Sequence, residues 1–352
     1  MPTRKNIAIV GAGALGGHVG GYLTKNGCRV TLIDPWPEHV ETMRGEGLTL
    51  RGQSAPENFT VKVNAIHLTE LQRCAKEQPF DIAFVAVKSY DTIWATEMIK
   101  PYLAPNAFVV SLQNSINEDR IASVVGWGKT VGCIASTIAV ELVKPGLVQR
   151  QVGLGGERNT VFRVGEPHGR ITPRVTEIAD MLKCCDSSKA TENLWGERWS
   201  KLVVNAMRNP MSAATGRGGN TNDRDPVTRS LALRIASEAV AVGLAHGYTL
   251  EKVYKMDPLK VKAAGEGDKA ALAECEAVLL ENTRFRNDEQ RPSMGQDIQK
   301  GRRTEIDFIN GLVVAKAEEL GLKTPANRGI IAAVKRVERG EAKPSADLVA
   351  GI

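Results

Sequence analysis

Aromatic residues make up only 5% of the chain, and there are five histidines. Nucleic-acid binding draws on aromatic platforms set along a basic stripe. The net charge is +6, yet the basic residues are scattered apart from small clusters at 299–303 and 335–339. No nucleic-acid partner is therefore expected. The mild positive charge reads as attraction for an anionic cofactor and a small anionic substrate. No apolar run approaches the roughly 20 residues of a membrane span, so no membrane association is expected. Cys28, Cys74, Cys133, Cys184, Cys185 and Cys275 include no C-x-x-C pair. Such thiols fit a reducing cytoplasm, with Cys184 and Cys185 as packing residues. MPTRKN leads straight into the first strand, and no signal peptide is expected. No cluster of His, Cys, Asp and Glu suggests a metal, and no histidine is placed as a catalytic base.

What is present begins with IAIVGAGALGG at residues 7–17. Ile7, Ala8, Ile9 and Val10 read as a strand buried on both faces. Gly11, Gly13 and Gly16 follow at G-x-G-x-x-G spacing. They allow a tight turn, a close backbone approach to a pyrophosphate, and close packing of the next helix. That helix aims its first N–H groups at the phosphates, so Gly11, Gly13, Ala14, Leu15 and Gly16 are cofactor-binding candidates. A second strand over 29–33 ends at Asp34, 18 residues past Gly16 and placed for the ribose hydroxyls of NAD. A carboxylate there repels a 2′-phosphate, so NAD is expected rather than NADP.

The length of 352 residues suggests two domains. Further strands are expected over 81–87, 107–112 and 130–134, with helices over 38–44 and 92–103. This alternation gives an α/β Rossmann domain, a doubly wound parallel sheet, over 1–170. Ligands bind beyond the carboxyl ends of such strands. Lys88 and Asn114, each at a strand end, are candidates for the same rim as the glycine turn. Residues 148–166 read as edge strands. An all-α helical domain is expected over 171–352, with segments at 174–183, 194–214, 228–246, 269–282, 294–320 and 327–338. Residues 216–226 and 257–269 read as loops.

Lys201, Asn205 and Ser212 fall within about 40° on one face of the 194–214 helix, with Asn209 about 80° from Lys201. A core-facing stripe is apolar, so a lysine in line with amides reads as a lined site. Pro210 is expected to kink this helix. Ser293 with Gln296 reads as a capping box for a helix running towards Leu320. On spacing alone, Glu305 reads as a surface glutamate.

Together, GAGALGG, Lys88, Gln113-Asn114, KLVVNAMRNPMSA and SMGQDIQKGRRTEIDFINGL resemble the ketopantoate reductase family over nearly the whole chain. The resemblance implies a Rossmann domain, a helical domain, and nicotinamide-dependent interconversion of a 2-oxo acid and a 2-hydroxy acid. It implies Lys201 as the catalytic general acid/base and Glu305 as the carboxylate that assists it. It also implies Asn114, Asn205, Asn209 and Ser293 as substrate-binding residues, and Lys88 near cofactor and substrate. A homodimer is expected from the apolar stripe of 294–320. Members of this family typically use NADPH and carry an arginine after the second strand, and Asp34 departs from that pattern. The charged stretches 217–224 and 257–291 leave the identity of the acid open. Two other readings compete. An opine-type imine dehydrogenase would favour a His–Asp pair in the helical domain, which the sequence does not offer. A non-catalytic NAD-sensing module would lack both Lys201 and Glu305.

Overall fold

The computed structural model describes residues 5–285, 288 and 290–352. Residues 1–4 of MPTRKN lie outside the described residues, as do Arg286, Asn287 and Glu289 of the 257–291 stretch. The chain divides into two compact units, Met1–Leu194 and Trp195–Ile352.

The strands of the first unit are, in chain order, β1 (Asn6–Val10), β2 (Arg29–Asp34), β3 (Leu48–Arg51) and β4 (Phe59–Val61). Next come β5 (Asn64–His67), β6 (Phe80–Val85), β7 (Leu103–Ser111) and β8 (Thr130–Ala135). The last are β9 (Val140–Lys144), β10 (Leu147–Arg150), β11 (Phe162–Gly165) and β12 (Ser188–Ala190). Five helices accompany them: α1 (Ala14–Lys25), α2 (Pro37–Gly45), α3 (Thr92–Ile99), α4 (Glu118–Val125) and α5 (Pro173–Leu182). The large sheet runs β12-β11-β8-β7-β6-β1-β2-β5, and β4-β3-β10-β9 form a small second sheet. Pairing in the large sheet is parallel except between β8 and β11.

The apolar strands are buried on both faces, as a covered parallel sheet requires. Ile7, Ile9, Leu32, Ile82 and Phe84 enter one core cluster. Their sequence neighbours Ala8, Val10, Ile33, Ala83 and Val85 enter the other. Helix α1 touches β2 of the large sheet and β3, β9 and β10 of the small one. A Cβ on Gly20 would stand 2.4 Å from Leu32, and one on Gly21 2.4 Å from Leu50. The glycines of α1 thus let two sheets close on one helix.

The boundary falls after Leu194 rather than at 170. Helix α5 buries Val175, Ile178, Ala179 and Leu182 in the sheet's core. Strand β12 then pairs in parallel with β11, Phe162 opposite Ser188. A three-residue strand is too short to show periodicity, so composition placed the change too early.

The second unit is helical: α6 (Leu194–Thr215), α7 (Gly219–Arg224), α8 (Pro226–Ala245), α9 (Pro258–Gly265) and α10 (Lys269–Asn282). It continues with α11 (Ser293–Gln299), α12 (Ile306–Glu318) and α13 (Pro325–Glu338). Both stretches read as loops contain a helix. Asp257 caps α9 by accepting the Leu259 and Lys260 amides. Helix α7 is held by the Arg208–Asp223 and Arg217–Asp225 pairs, 2.7 and 2.8 Å, rather than by an apolar stripe.

The single helix expected over 294–320 is two. Gly301, at φ +61°, stops α11: its amide reaches Ile298 O at 3.1 Å, and the Arg302 amide reaches Asp297 O at 2.8 Å. This is a Schellman motif. The chain restarts at Ile306 with Glu305 at the cap position. Nor does Ser293 cap its helix. It is the first residue of α11, behind Pro292, and Gln296 Nε2 donates instead to Arg291 O at 3.0 Å.

His18 on α1 is 2% exposed. Burial, and then the charge of Arg150, lower its pKa from 6.5 to about 3. The unfolded chain therefore takes up a proton that the folded chain refuses. Stability is full above pH 6.5 and declines as pH falls towards 3, by about 1.4 kcal/mol per unit. Urea denaturation is expected to lose about 2 kcal/mol between pH 7.5 and 5, a slope that His18→Gln flattens. An unchanged slope in the variant would refute the assignment.

Candidate active site

The glycine turn leaves β1 at the point where β1 lies between β2 and β6. Gly11 takes φ +93°, and its amide donates to Ile33 O at 2.8 Å. A Cβ on Gly16 would stand 2.0 Å from Gly11 O, so α1 approaches too closely for any side chain. Gly13 differs: no atom lies within 4 Å of a Cβ placed there. It caps α1, whose first residues Ala14 and Leu15 are half-buried. An open space at a helix N-terminus, walled by bare backbone, fits a pyrophosphate.

Side chains lock this turn from the end of β2. The Ala12 amide donates to Asp34 Oδ2 at 2.9 Å, and the Trp36 amide to Oδ1 at 3.0 Å. His39, fully buried, meets Ala12 O through Nε2 at 2.9 Å. Its Nδ1 accepts the Gly146 amide at 2.9 Å, so Nε2 carries the proton. Burial pushes the Asp34 carboxyl above its ordinary range, against the pull of the Trp36 and Ala12 amides.

Lys88 follows β6 and Asn114 follows β7, which are neighbours in the sheet. Ser89 Oγ donates to Asn114 O at 3.4 Å, and Asn117 Nδ2 donates to the same oxygen at 2.9 Å. Gln113 Nε2 donates to Val87 O at 2.9 Å and Thr92 Oγ1 at 2.8 Å. These bonds draw the two loops together. Ser115, at φ +66°, bends the chain sharply after Asn114. Gln113, quoted from the sequence only as part of the Gln113-Asn114 motif, and Asn117, which sequence reading did not single out, are supports at 4% and 0% exposure.

In the second unit, α6 buries Leu202, Val203, Ala206, Met207 and Met211. Lys201, Asn205 and Arg208 are half-buried on its other face, while Asn209 and Ser212 are buried. Arg208 was missed, although it lies seven residues from Lys201, almost two full turns. Asn209 Nδ2 comes within 3.5 Å of Ser293 Oγ, a long contact that joins the head of α11 to α6. A Cβ on Gly295 would stand 2.2 Å from Ser212 Oγ, so the two helices touch closely there. Asn310 Nδ2 on α12 donates to Ala206 O at 3.1 Å. Glu305, at the head of α12, is 3% exposed, so it is not the surface glutamate that spacing suggested. No group of three or more metal-ligating side chains forms among the described residues. No helix among them is long and apolar enough to cross a membrane.

The profile of the family described as ketopantoate reductase PanE/ApbA matches residues 7–161, and its C-terminal counterpart matches 193–338. The chain belongs to this family. The 2-dehydropantoate 2-reductase of Pyrococcus horikoshii is 31% identical, covering 94% of this chain and 97% of that one. The PanE/ApbA family ketopantoate reductase from Ralstonia eutropha has a TM-score of 0.75 at 28% identity, covering 96% and 99%. A D-mandelate dehydrogenase with NADH and anilino(oxo)acetate shares the fold, with a TM-score of 0.78 at 23% identity, covering 96% and 100%. As a member of the ketopantoate reductase family, the chain is a nicotinamide-dependent oxidoreductase of the 2-oxo acid and 2-hydroxy acid class.

The open space at Gly13 makes a direct test. Gly13→Ala is expected to keep the melting temperature and to weaken NADH binding, followed by fluorescence titration, at least tenfold. Gly16→Ala should instead lower the melting temperature. Unchanged NADH affinity in Gly13→Ala would remove the phosphate site from this turn.

Proposed function

We propose that the protein reduces a 2-oxo acid to the 2-hydroxy acid, and runs the reverse oxidation, with Lys201 as general acid/base and NAD as cofactor. The observation that carries the reading is the polar face of Lys201, Asn205, Asn209 and Ser212 on a helix whose opposite face buries Leu202, Val203, Ala206, Met207 and Met211. The nicotinamide, when bound, supplies or takes the hydride. Gly11, Gly13, Ala14, Leu15 and Gly16 would hold its phosphates, with Lys88 and Asn114 on the same rim. Lys201 as an ammonium donates a proton to the substrate oxygen as negative charge develops there, and as the neutral amine takes it back. Glu305 holds Lys201 and the substrate hydroxyl. Asn205, Asn209, Ser293 and Asn114 bind the polar groups of the acid. The protein acts as a homodimer, although the stripe of Ile306, Ile309, Val313 and Ala317 that suggested it is buried; Leu320 and Leu322, exposed beyond α12, offer apolar surface instead.

The choice of NAD rests on Asp34. Each oxygen is aimed by one backbone amide and keeps a lone pair for a ribose hydroxyl. A 2′-phosphate would meet a carboxylate instead.

Two measurements test this reading. Lys201→Ala is expected to lower kcat by about 10²–10⁴, with cofactor affinity nearly unchanged. Loss of Glu305 should not add fully to it, because groups acting as one unit are non-additive. A fully active Lys201→Ala protein would overturn the mechanism. Kinetics with both cofactors should favour NAD roughly a hundredfold, a gap that Asp34→Asn narrows. Equal or better use of NADP would sink the NAD assignment.

A further inference from the structure

Around Lys201 the same arc of α6 carries Glu197, Arg198 and Arg208, charged side chains that this chemistry does not use. We propose that Arg208 recognises a second carboxylate at the far end of the 2-oxo acid, so that dicarboxylic 2-oxo acids of four to five carbons are preferred. The proposal rests on the reading of Lys201 as proton donor.

Position sets the size of the ligand. Arg208 follows Lys201 by seven residues, about 20° around the helix and roughly 10 Å along its axis. Both long side chains lean the same way from α6. Hydrogen bonds of about 3 Å directed inward along the axis from each end bring the two substrate oxygens to within roughly 4–5 Å, the span of a short diacid.

The guanidinium is held at one corner and over one face. Nη1 alone donates to Asp223, to Oδ1 at 2.9 Å and Oδ2 at 2.7 Å. The Tyr254 ring lies 4.7 Å from Cζ. Nε and Nη2 make no hydrogen bond among the described residues, although the side chain is only 10% exposed. An arginine serving as a strut commonly pairs through its fork, with two parallel N–H bonds to one carboxylate. Here the corner serves Asp223, and the fork edge keeps the donor pair that matches a second carboxylate. Asp223 balances the guanidinium charge, so the site is not an unpaired buried cation without ligand.

The supports of Arg208 are themselves fixed. Tyr254 and Lys255 take φ +54° and +72°, neither being glycine. Their two-residue turn is closed by Val253 N to Met256 O and Met256 N to Val253 O, both 2.9 Å. Positive φ at both central residues is what a two-residue hairpin turn requires, and it fixes the Tyr254 ring beside Arg208. Arg229, paired with Glu276 at 2.9 Å, holds the Asp223 carbonyl at 2.9 Å.

Steady-state kinetics on the full chain with its cofactor would compare 2-oxoglutarate, 2-oxopentanoate and ketopantoate. The expected kcat/KM is at least a hundredfold higher for 2-oxoglutarate than for 2-oxopentanoate. Arg208→Lys keeps an ion pair to Asp223 but has no planar fork. In that variant the ratio should fall tenfold or more, mainly through KM, at an unchanged melting temperature. A purely structural arginine predicts that lysine preserves the ratio, which would overturn the proposal. Equal use of mono- and diacid by the unaltered protein, or preference for ketopantoate over both, would also overturn it while leaving 2-oxo acid reduction intact. If none of the three turns over, the Lys201 reading fails, and calorimetric titration with 2-oxoglutarate decides about Arg208. Binding that Arg208→Lys abolishes supports the proposal; no binding ends it.

Discussion

The two hydrogen bonds on Ala12 hold the first unit's ligand surface together. Its amide is taken by Asp34 and its carbonyl by His39, so neither backbone group of that residue is left to water. A glycine-rich turn has many accessible conformations, and fixing them carries an entropic cost. Here the fixing groups come from the end of β2 and from α2, elements already ordered by the sheet. His39 extends the lock to Gly146, in the hairpin between β9 and β10. The small sheet, which bears no candidate ligand residue, thereby helps to hold the turn still.

The second unit uses a different device. Its candidate residues sit on three helices, with Asn209 and Ser212 of α6 meeting Ser293 and Gly295 of α11, and Asn310 of α12 meeting the Ala206 carbonyl of α6. A buried amide bonded to backbone fixes one helix against another without depending on an exact apolar fit. Asn310 Nδ2 also donates to Asn327 Oδ1 on α13 at 3.0 Å, and Asn327 Nδ2 donates to Glu238 on α8 at 2.8 Å. Polar bonds through the core therefore set the spacing of the helices that carry Lys201 and Glu305.

Much of this was legible in the sequence, where physical signals are strong and local. The glycine spacing, Asp34 and the two-sided apolar strands each reflect one constraint acting on a few neighbouring residues. Lys201, Asn205 and Asn209 were visible because polar groups in line contradict the pattern of a buried helix. What was missed depends on distant or brief features. Strand β12 has three residues and exists only because β11 is beside it. Helix α7 has six residues, and its Asp223 and Arg224 pair with Arg208 and Asp288 of other segments. The break before α12 was marked by Gly301, but the apolar stripe on both sides hid it. Glu305 accordingly looked exposed, whereas it is buried at the head of α12.

That break separates two kinds of change that evolution can make. Ser293 sits on α11 and Glu305 at the start of α12, with the Schellman stop and a short linker between them. In one continuous helix, any shift of the first would rotate and translate the second. With the register interrupted, and on the proposed roles of Ser293 and Glu305, substitutions in α11 can reshape the substrate contacts while α12 stays bolted to α6 through Asn310. Substrate range and proton chemistry can then drift at different rates within one scaffold.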